Sequence, residues 1–183
     1  MTPYANHFQH ALGLDVWSAG TTIYDTPTMS FNPTASTVAL TGPSDNVVWA
    51  PGQVNLQPGS SQLSSVRFTA PQSGQYEVRG AYSSGDQYYG ATTDVHILKN
   101  GISIYDGTIA GKTAVSSFDE SLQLGMGDYL DFEVGRGALG LGWDSTGLQV
   151  QVIPIPEPCA LNLFVLGMLL LKGFRARRCG ATT

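Results

Sequence analysis

Cysteine is almost absent from this 183-residue chain, and its two cysteines, Cys159 and Cys179, both lie in the last 25 residues. The chain before them has no thiol, which excludes thiol catalysis and disulfide bonds within that part. If the 20 residues from Cys159 to Cys179 were helical, they would separate the two thiols by about 30 Å. A disulfide bond between them is then excluded by distance.

Charged residues are also scarce, at 13% of the chain, and the basic ones are unevenly placed. Four of the nine Lys and Arg residues lie between positions 172 and 178, whereas the chain up to Pro156 has five basic and 13 acidic residues, a net charge of −8. Binding to nucleic acid requires Lys and Arg that face phosphates. The sequence therefore predicts no nucleic-acid partner for this acidic body.

Helical periodicity is nearly absent before residue 158, and alternation of apolar and polar residues takes its place. Asn100-Gly101 is typical of a two-residue hairpin turn and predicts pairing of strands 93–99 and 102–108. The sequence predicts an all-β fold, an antiparallel, jelly-roll-like β-sandwich followed by one hydrophobic C-terminal helix. The alternating segments are 66–69, 75–82, 94–97, 102–104, 118–124, 130–134 and 148–152, and the less regular first sixty residues add the predicted strands 37–40 and 46–49.

The C-terminal region combines three features in a fixed order. Pro156 and Pro158 keep the backbone extended around Glu157. An apolar run from Ala160 to Leu171 follows and is suited to a bilayer, and a basic cluster after it favours the cytoplasmic side. The apolar run includes Ala160, Leu161, Leu163, Phe164, Val165, Leu166, Leu169, Leu170 and Leu171, and the basic cluster is Arg175, Arg177 and Arg178.

This order resembles the PEP-CTERM sorting signal of exported Gram-negative bacterial proteins, which an exosortase recognises and cleaves. The resemblance covers residues 155–178 and implies an exosortase and the inner membrane as partners. It also implies anchoring in the inner membrane before processing, and the cell envelope or the extracellular space afterwards. The predicted organisation is a body (1–153), a linker (154–158), a membrane segment with a basic end (159–178) and a tail (179–183).

Two expectations accompany that interpretation. A buried or amphipathic C-terminal helix is the alternative to a membrane segment. Residues 1–20 lack the basic and apolar regions of a signal peptide, so we expect the exported form to carry a leader outside this sequence.

The body also resembles the uncharacterised β-sandwich domain found upstream of PEP-CTERM tails, and its strand order is similar to C1q/TNF-like jelly rolls. Neither resemblance implies an activity, because a fold does not determine function. The segments that carry the resemblance are 68–71, 74–76, 100–101, 122–128, 132–134 and 144–148.

Sequence patterns of enzymes and metal sites are weak. Gly135, Gly137 and Gly140 match a Gly-x-Gly-x-x-Gly pattern, but no amphipathic helix follows, so we interpret them as a loop without a nucleotide. His7 and His10 have no third ligand nearby, and we predict no metal site there. Calcium in carboxylate-containing loops stays an alternative, and a carboxylate hydrolase would need two aspartates about 5–10 Å apart in a cleft. The aspartates concerned are Asp86, Asp94, Asp128, Asp131 and Asp144 for calcium, and all except Asp131 for the hydrolase.

Aromatic residues near loops suggest a glycan site. Tyr82, Tyr88 and Tyr89 surround the Gly85-Asp86 turn, and Trp143 precedes Asp144. Aromatic faces stack on sugars while carboxylates accept hydroxyl hydrogens; packing of the tyrosines within the loop is the alternative. The predicted function is an exported, exosortase-sorted envelope or matrix protein with a non-catalytic body that binds extracellular polysaccharide. The alternatives are a structural or adhesive module without a small ligand, and the hydrolase.

Overall fold

The structure is a computed structural model that describes residues 4–20, 27–43, 46–137 and 144–156. These residues form strands joined by turns and loops, and every strand pair is antiparallel. The strands are β1 (Asn6–Gln9), β2 (Asp15–Ser18), β3 (Thr28–Phe31), β4 (Val38–Thr41), β5 (Asn46–Trp49), β6 (Val54–Gln57), β7 (Ser64–Thr69), β8 (Gly74–Ser84), β9 (Ala91–Lys99), β10 (Ile102–Gly111), β11 (Val115–Leu124), β12 (Tyr129–Gly135) and β13 (Thr146–Ile155).

Two sheets pack face to face and enclose the main core. The large sheet has the order β1-β2-β3-β6-β13-β8-β11, the small sheet has the order β10-β9-β12-β7, and β4 and β5 form a separate ribbon. Phe118 of the large sheet meets Phe132 of the small sheet with ring centroids 6.1 Å apart. The all-β antiparallel prediction is confirmed for the described residues.

Alternation along each strand explains which side chains enter this core. In β8, Tyr76, Val78 and Tyr82 are buried, while the intervening residues are exposed or half-buried. A strand places successive side chains on opposite faces, so one apolar face per sheet suffices for a shared core. The main core consists of Leu56, Ala70, Tyr76, Val78, Tyr82, Ala91, Val95, Ile97, Ile109, Phe118, Leu124, Leu130, Phe132, Val134 and Leu148.

Three turns lie together at one end of the sandwich, which we call the turn end. They are the 70–74 turn, the 100–101 hairpin and the 125–128 turn. Asn100 and Gly101 have φ values of 51° and 82°, as a tight hairpin requires, and β9 pairs with β10. Asp128 Oδ2 accepts the Gly125 N–H at 2.8 Å and so closes the 125–128 turn. At the opposite end, the loop end, are residues 85–90, residues 111–114 and the start of β13.

The first sixty residues contain more strands than alternation predicted. The strands expected at 37–40 and 46–49 are present as β4 (Val38–Thr41) and β5 (Asn46–Trp49), whereas β1, β2, β3 and β6 were not predicted. Leu14, Val16 and Trp49 form a second, smaller core there, and the Trp49 indole N–H donates to Ser30 Oγ at 2.9 Å. Strands of four residues carry too few alternating positions to be recognised by pattern alone.

Two details differ from the expectations. Ile102, an apolar residue of the alternating segment 102–104, is 73% exposed, and the β9–β10 register shifts just after it, between Ser103 and Tyr105. The last strand, β13, continues to Ile155, two residues beyond the predicted end of the body.

The predicted C-terminal helix, Glu157, Pro158, the apolar run and the basic cluster lie outside the described residues. Among the residues that the structure does describe, no helix is long and apolar enough to cross a membrane.

Candidate binding site at the loop end

The loop of residues 85–90 joins β8 to β9 and is held by one buried carboxylate. Asp86 is 1% exposed, and its Oδ1 accepts the backbone N–H groups of Tyr88 at 2.6 Å, Tyr89 at 2.8 Å and Gly90 at 3.4 Å. The ribbon strand β5 adds two backbone bonds: Val48 N–H donates to Gly85 O at 3.0 Å, and Gln87 N–H donates to Asn46 O at 2.7 Å. Charge-assisted bonds to backbone N–H groups are strong, so this loop is preorganised.

Tyr88 and Tyr89 project from that loop. Their side chains are 44% and 53% exposed, and their rings meet edge to face with centroids 4.6 Å apart. The structure therefore places these two tyrosines at the surface, as the glycan hypothesis requires. A preorganised aromatic pair loses little conformational entropy when it binds a ligand.

Tyr82 does not belong to this surface, which corrects the grouping of the three tyrosines. Its side chain is fully buried in the main core, and its hydroxyl donates to His96 O at 2.8 Å across the sandwich. Burial raises the pKa of this hydroxyl well above its ordinary value. The alternation of β8, which also predicted Tyr82 as a core residue, gave the correct assignment. No ligand can stack on this ring.

Asp144 lies just before β13 at the same end, but it is buried and not exposed. Only 1% of its surface is accessible, Thr92 Oγ1 donates to its Oδ1 at 3.5 Å, and its Oδ2 has no hydrogen-bond partner among the described residues. Burial raises the pKa of this carboxyl to about 6, an effect that Asp94 reinforces and that Thr92 and Arg136 oppose. Thr146 Oγ1 donates to the backbone oxygen of Asp144 at 3.3 Å. Trp143 lies outside the described residues.

A buried polar cluster surrounds Asp144 and was not found by sequence reasoning. The Thr93 and Thr146 hydroxyls bond each other at 2.7 Å, and the Ser84 hydroxyl donates to Asp86 O at 3.0 Å. The Asn55 side-chain amide is buried and lacks a partner in the described part of the chain. Ser84, Thr93 and Thr146 occupy inward-facing strand positions, whereas Asn55, next to the core residue Leu56, faces the other side of the large sheet. Period-two alternation of apolar residues gives no signal for any of them.

Of the four aspartates considered for hydrolysis, Asp128 lies at the turn end, away from the others. Asp86 holds the tyrosine loop, and Asp94 acts electrostatically on the buried Asp144. Asp131 pairs instead with Arg67, with two N···O distances of 2.7 Å. No group of three or more His, Cys, Asp or Glu side chains that could hold a metal ion occurs among the described residues.

A chain of ionisable groups crosses the outer face of the small sheet. His96 Nε2 lies 2.9 Å from Asp94 Oδ2, its Nδ1 lies 2.5 Å from Asp106 Oδ1, and the Ser103 hydroxyl donates to Asp106 at 2.9 Å. Burial alone would lower the pKa of His96, but the two carboxylates outweigh it and raise that pKa. The serine bonds the carboxylate and not the imidazole, so this is not the arrangement of a nucleophilic triad.

A shallow groove of about 750 Å³ crosses the outer face of β13, β8 and β11. Arg79 in this groove donates to Gln151 Oε1 at 3.2 Å and pairs with Glu77 at 3.3 Å. The groove offers hydrogen-bonding groups, and its one aromatic lining residue, Phe118, is buried. It therefore lacks the exposed ring that the tyrosine loop provides.

The glycines of the nucleotide-like pattern serve packing. A Cβ atom on Gly137 would lie 0.9 Å from Thr92 O, and one on Gly135 would lie 2.4 Å from Asp94 Oδ2. Gly137 needs glycine because backbone atoms of Thr92 occupy the space of a side chain, whereas a side chain at Gly135 would have to displace the Asp94 carboxylate. Gly140 lies outside the described residues.

The His7–His10 pair also has a structural explanation. His7 in β1 stacks on Trp17 with ring centroids 4.4 Å apart. The His10 Nδ1 accepts the Leu12 N–H at 3.2 Å. Each imidazole therefore contacts its own neighbour.

Comparison with known proteins does not assign a family. No family model and no curated protein matches the chain. Among solved structures, it is similar to the CBM51 of Clostridium perfringens GH95 in complex with methyl-galactose, with 11% identity over 79% of this chain and 90% of that one and a TM-score of 0.42. It is also similar to the M60 catalytic domain with the CBM51 domains of Clostridium perfringens ZmpB, with 10% identity over 78% of this chain and 18% of that one and a TM-score of 0.44. Its similarity to rabbit GITRL has 17% identity over 50% of this chain and 74% of that one and a TM-score of 0.35. Such TM-scores are too low to assign the chain to any of these groups.

Proposed function

We propose that this chain is an exported, non-catalytic β-sandwich protein that binds extracellular polysaccharide through its loop end. The observation that carries the proposal is the pair of exposed tyrosines, Tyr88 and Tyr89, on a loop held by Asp86. Sugar rings present C–H groups on their faces, and aromatic rings contact these faces without requiring a particular hydroxyl pattern. This chemistry suits a repeating polysaccharide better than a small charged ligand.

Rigidity of the loop supports this function. Because three backbone N–H groups bond one carboxylate, the tyrosines do not need to be ordered when a glycan binds. Once one ring has stacked on a sugar, the neighbouring sugars of the same polymer are held close to the second ring, so the two weak contacts reinforce each other.

Affinity electrophoresis in gels that contain cellulose, chitin, xylan or β-galactan tests the proposal. We expect at least one polysaccharide to retard the protein, and Tyr88→Ala and Tyr89→Ala each to weaken retardation about tenfold, a typical effect of removing one stacked ring. Phe8→Ala is the matched control, because Phe8 is 42% exposed but lies on β1. Equal retardation of all variants would exclude the tyrosine loop, and no retardation in any gel would favour a structural or adhesive module.

We further propose that residues 155–178 act as a sorting signal that an exosortase processes at the inner membrane. The support is the order of Pro156-Glu157-Pro158, apolar run and arginine cluster in the sequence. The last described strand ends at Ile155 with exposed residues, so Pro156 leaves the body at its surface. The exposure of Pro156 suits recognition of the segment by a processing enzyme.

Fractionation of a host that makes an exosortase tests this part. We expect Glu157→Ala to remain unprocessed in the inner membrane, because the segment then lacks its only carboxylate. Glu77→Ala, which removes an exposed glutamate of the body, is the control and should be processed normally. Normal release of Glu157→Ala would contradict the sorting proposal.

A further inference from the structure

The turn end carries two of the most exposed large apolar side chains of the described residues. Met126 is 75% exposed and Ile102 is 73% exposed. Both lie at tight turns, where polar residues predominate. Single exposed apolar residues are common, so their meaning depends on what lies beside them.

The turns that carry these side chains form one connected surface. Asn100 Nδ2 donates to Asp128 Oδ1 at 3.0 Å, and the Tyr129 N–H donates to Asn100 Oδ1 at 2.9 Å. Met126 N–H donates to Ser73 Oγ at 2.8 Å, which connects the third turn. The two apolar side chains therefore project from turns that hydrogen bonds join to one another.

The charged groups Lys99 and Asp128 at the turn end already have hydrogen-bond partners within the protein. Lys99 Nζ donates to Gln123 O at 2.7 Å, and Asp128 accepts the Gly125 N–H at 2.8 Å in addition to the bond from Asn100. Charges with partners are less costly to bring towards an apolar phase than free charges.

The chain leaves the body at this same end. Ile155 pairs with Gln75, next to the 70–74 turn, and its side chain is 42% exposed. Ala160, where the apolar run begins, is five residues further along and can be at most about 17 Å away. The headgroup layer of one leaflet takes up about 5–8 Å of that distance. If the apolar run is embedded, the tether holds the turn end against the bilayer.

We propose that the turn end is a lipid-facing surface and that Met126 and Ile102 enter the interfacial layer of the inner membrane before processing. The inference rests on the proposed membrane stage of the C-terminal segment. The exposed apolar side chains, the bonded charges and the short tether all occur at one end of the body. The occupant of this surface is a phospholipid headgroup layer, and the loop end with Tyr88 and Tyr89 is directed away from it.

The test uses the full chain in vesicles of phosphatidylethanolamine and phosphatidylglycerol. Cys159→Ser and Cys179→Ser remove the native thiols, and Met126→Cys, Ile102→Cys or Val115→Cys then carries a polarity-sensitive fluorophore. Val115 is the matched control, because it is 60% exposed and apolar but starts β11 at the loop end. Flotation measures membrane binding, and quenching by headgroup-level nitroxide lipids or by aqueous iodide reports the position of each label.

We expect labels at 126 and 102 to be quenched several-fold more by the nitroxide lipids than the label at 115, and several-fold less by iodide. If the chain floats with the vesicles but all three labels respond alike, this inference is overturned and the membrane stage of the proposed function stands. If the chain fails to float, the membrane stage is overturned and this inference with it.

Discussion

The two ends of the sandwich are built by different means. At the turn end, short segments such as Asn100-Gly101 and 125–128 reverse the chain through local hydrogen bonds and positive φ values. At the loop end, residues far apart in sequence meet: the Thr92 hydroxyl donates to Asp144, 52 positions away, and the Thr93 and Thr146 hydroxyls bond each other across 53 positions. The reversals at the turn end are therefore encoded locally, although bonds such as the one from the Met126 N–H to Ser73 Oγ, across 53 positions, join the turns to one another. The buried hydroxyl and carboxyl contacts of the loop end depend on the completed fold.

Two buried aspartates of the loop end also differ in the hydrogen-bond partners of their carboxylates. Asp86 and Asp144 are each 1% exposed, but Asp86 accepts three backbone N–H groups, whereas Asp144 leaves Oδ2 without a partner in the described part of the chain. A buried charge stabilises a fold only when its partners replace the lost water. One aspartate should therefore stabilise the protein and the other should destabilise it at neutral pH.

Asp86→Ala should have the largest effect in this comparison. It leaves three N–H groups of the tyrosine loop without their acceptor and should lower the free energy of unfolding by about 3 kcal/mol. Urea denaturation measures this loss, and polysaccharide retention should fall with it. Asp86→Asn keeps an acceptor oxygen at this position, so its free energy of unfolding should fall by less than that of Asp86→Ala. Equal losses for the two variants would show that the charge matters and the acceptor does not.

Asp144→Asn should act in the opposite direction. The pKa of Asp144 is raised from 3.8 to about 6, so the folded state binds a proton more tightly than the unfolded state. Stability is therefore lost as pH rises from about 4 to 6, and the full cost, at most about 3 kcal/mol, applies above that window. We expect the variant to be more stable by about 2 kcal/mol at pH 8 and unchanged near pH 3.5. Urea denaturation at both values is the measurement; a variant that is no more stable at pH 8 would contradict the assignment.

Asn100→Ala probes the turn end. Alanine tolerates a φ of 51° less well than asparagine and loses the bonds to Asp128 and Tyr129, so we expect a loss of about 1 kcal/mol. Asn100→Gly keeps the backbone conformation and loses only the side-chain bonds. Comparing the melting temperatures of the two variants separates these contributions, and identical values would assign the whole effect to the bonds.

His96→Gln should have the smallest effect, a few tenths of a kcal/mol, because the His96 side chain and its carboxylate partners are partly exposed. The pKa of His96 is raised in the fold, so its contribution is complete below the ordinary histidine pKa of 6.5 and is lost as pH rises through the folded value. Melting temperatures from pH 6 to 9 should decline less for the variant than for the wild type. Asp94→Asn removes one of the two carboxylate charges beside His96, so its melting temperature should decline by an amount between those of the wild type and His96→Gln.

The residues explain which parts of the fold were predictable. Tyr76, Val78 and Tyr82 alternate in a strand of 11 residues, and such long alternation identified β8 and its core face correctly. Strands β1, β2, β3 and β6 have four residues each, and buried polar residues such as Asn55 interrupt the apolar pattern. In the candidate site, Tyr88 and Tyr89 were identified from their position beside a turn, but the burial of Asp144 was not.

The sequence by itself determined the all-β class, the Asn100-Gly101 hairpin and the core positions of the long strands, because each depends on the backbone preferences or alternation of adjacent residues. Only the tertiary structure decided that Asp86 stiffens the tyrosine loop, that Asp144 is buried and that Ile155 leaves beside the exposed Met126 turn. The burial of Asp144 and the exit of Ile155 arise from contacts between strands that are distant in sequence, and the Asp86 loop adds backbone bonds to β5 to its own local ones. Their energies depend on desolvation and on the partners that each polar atom finds, which no local pattern records.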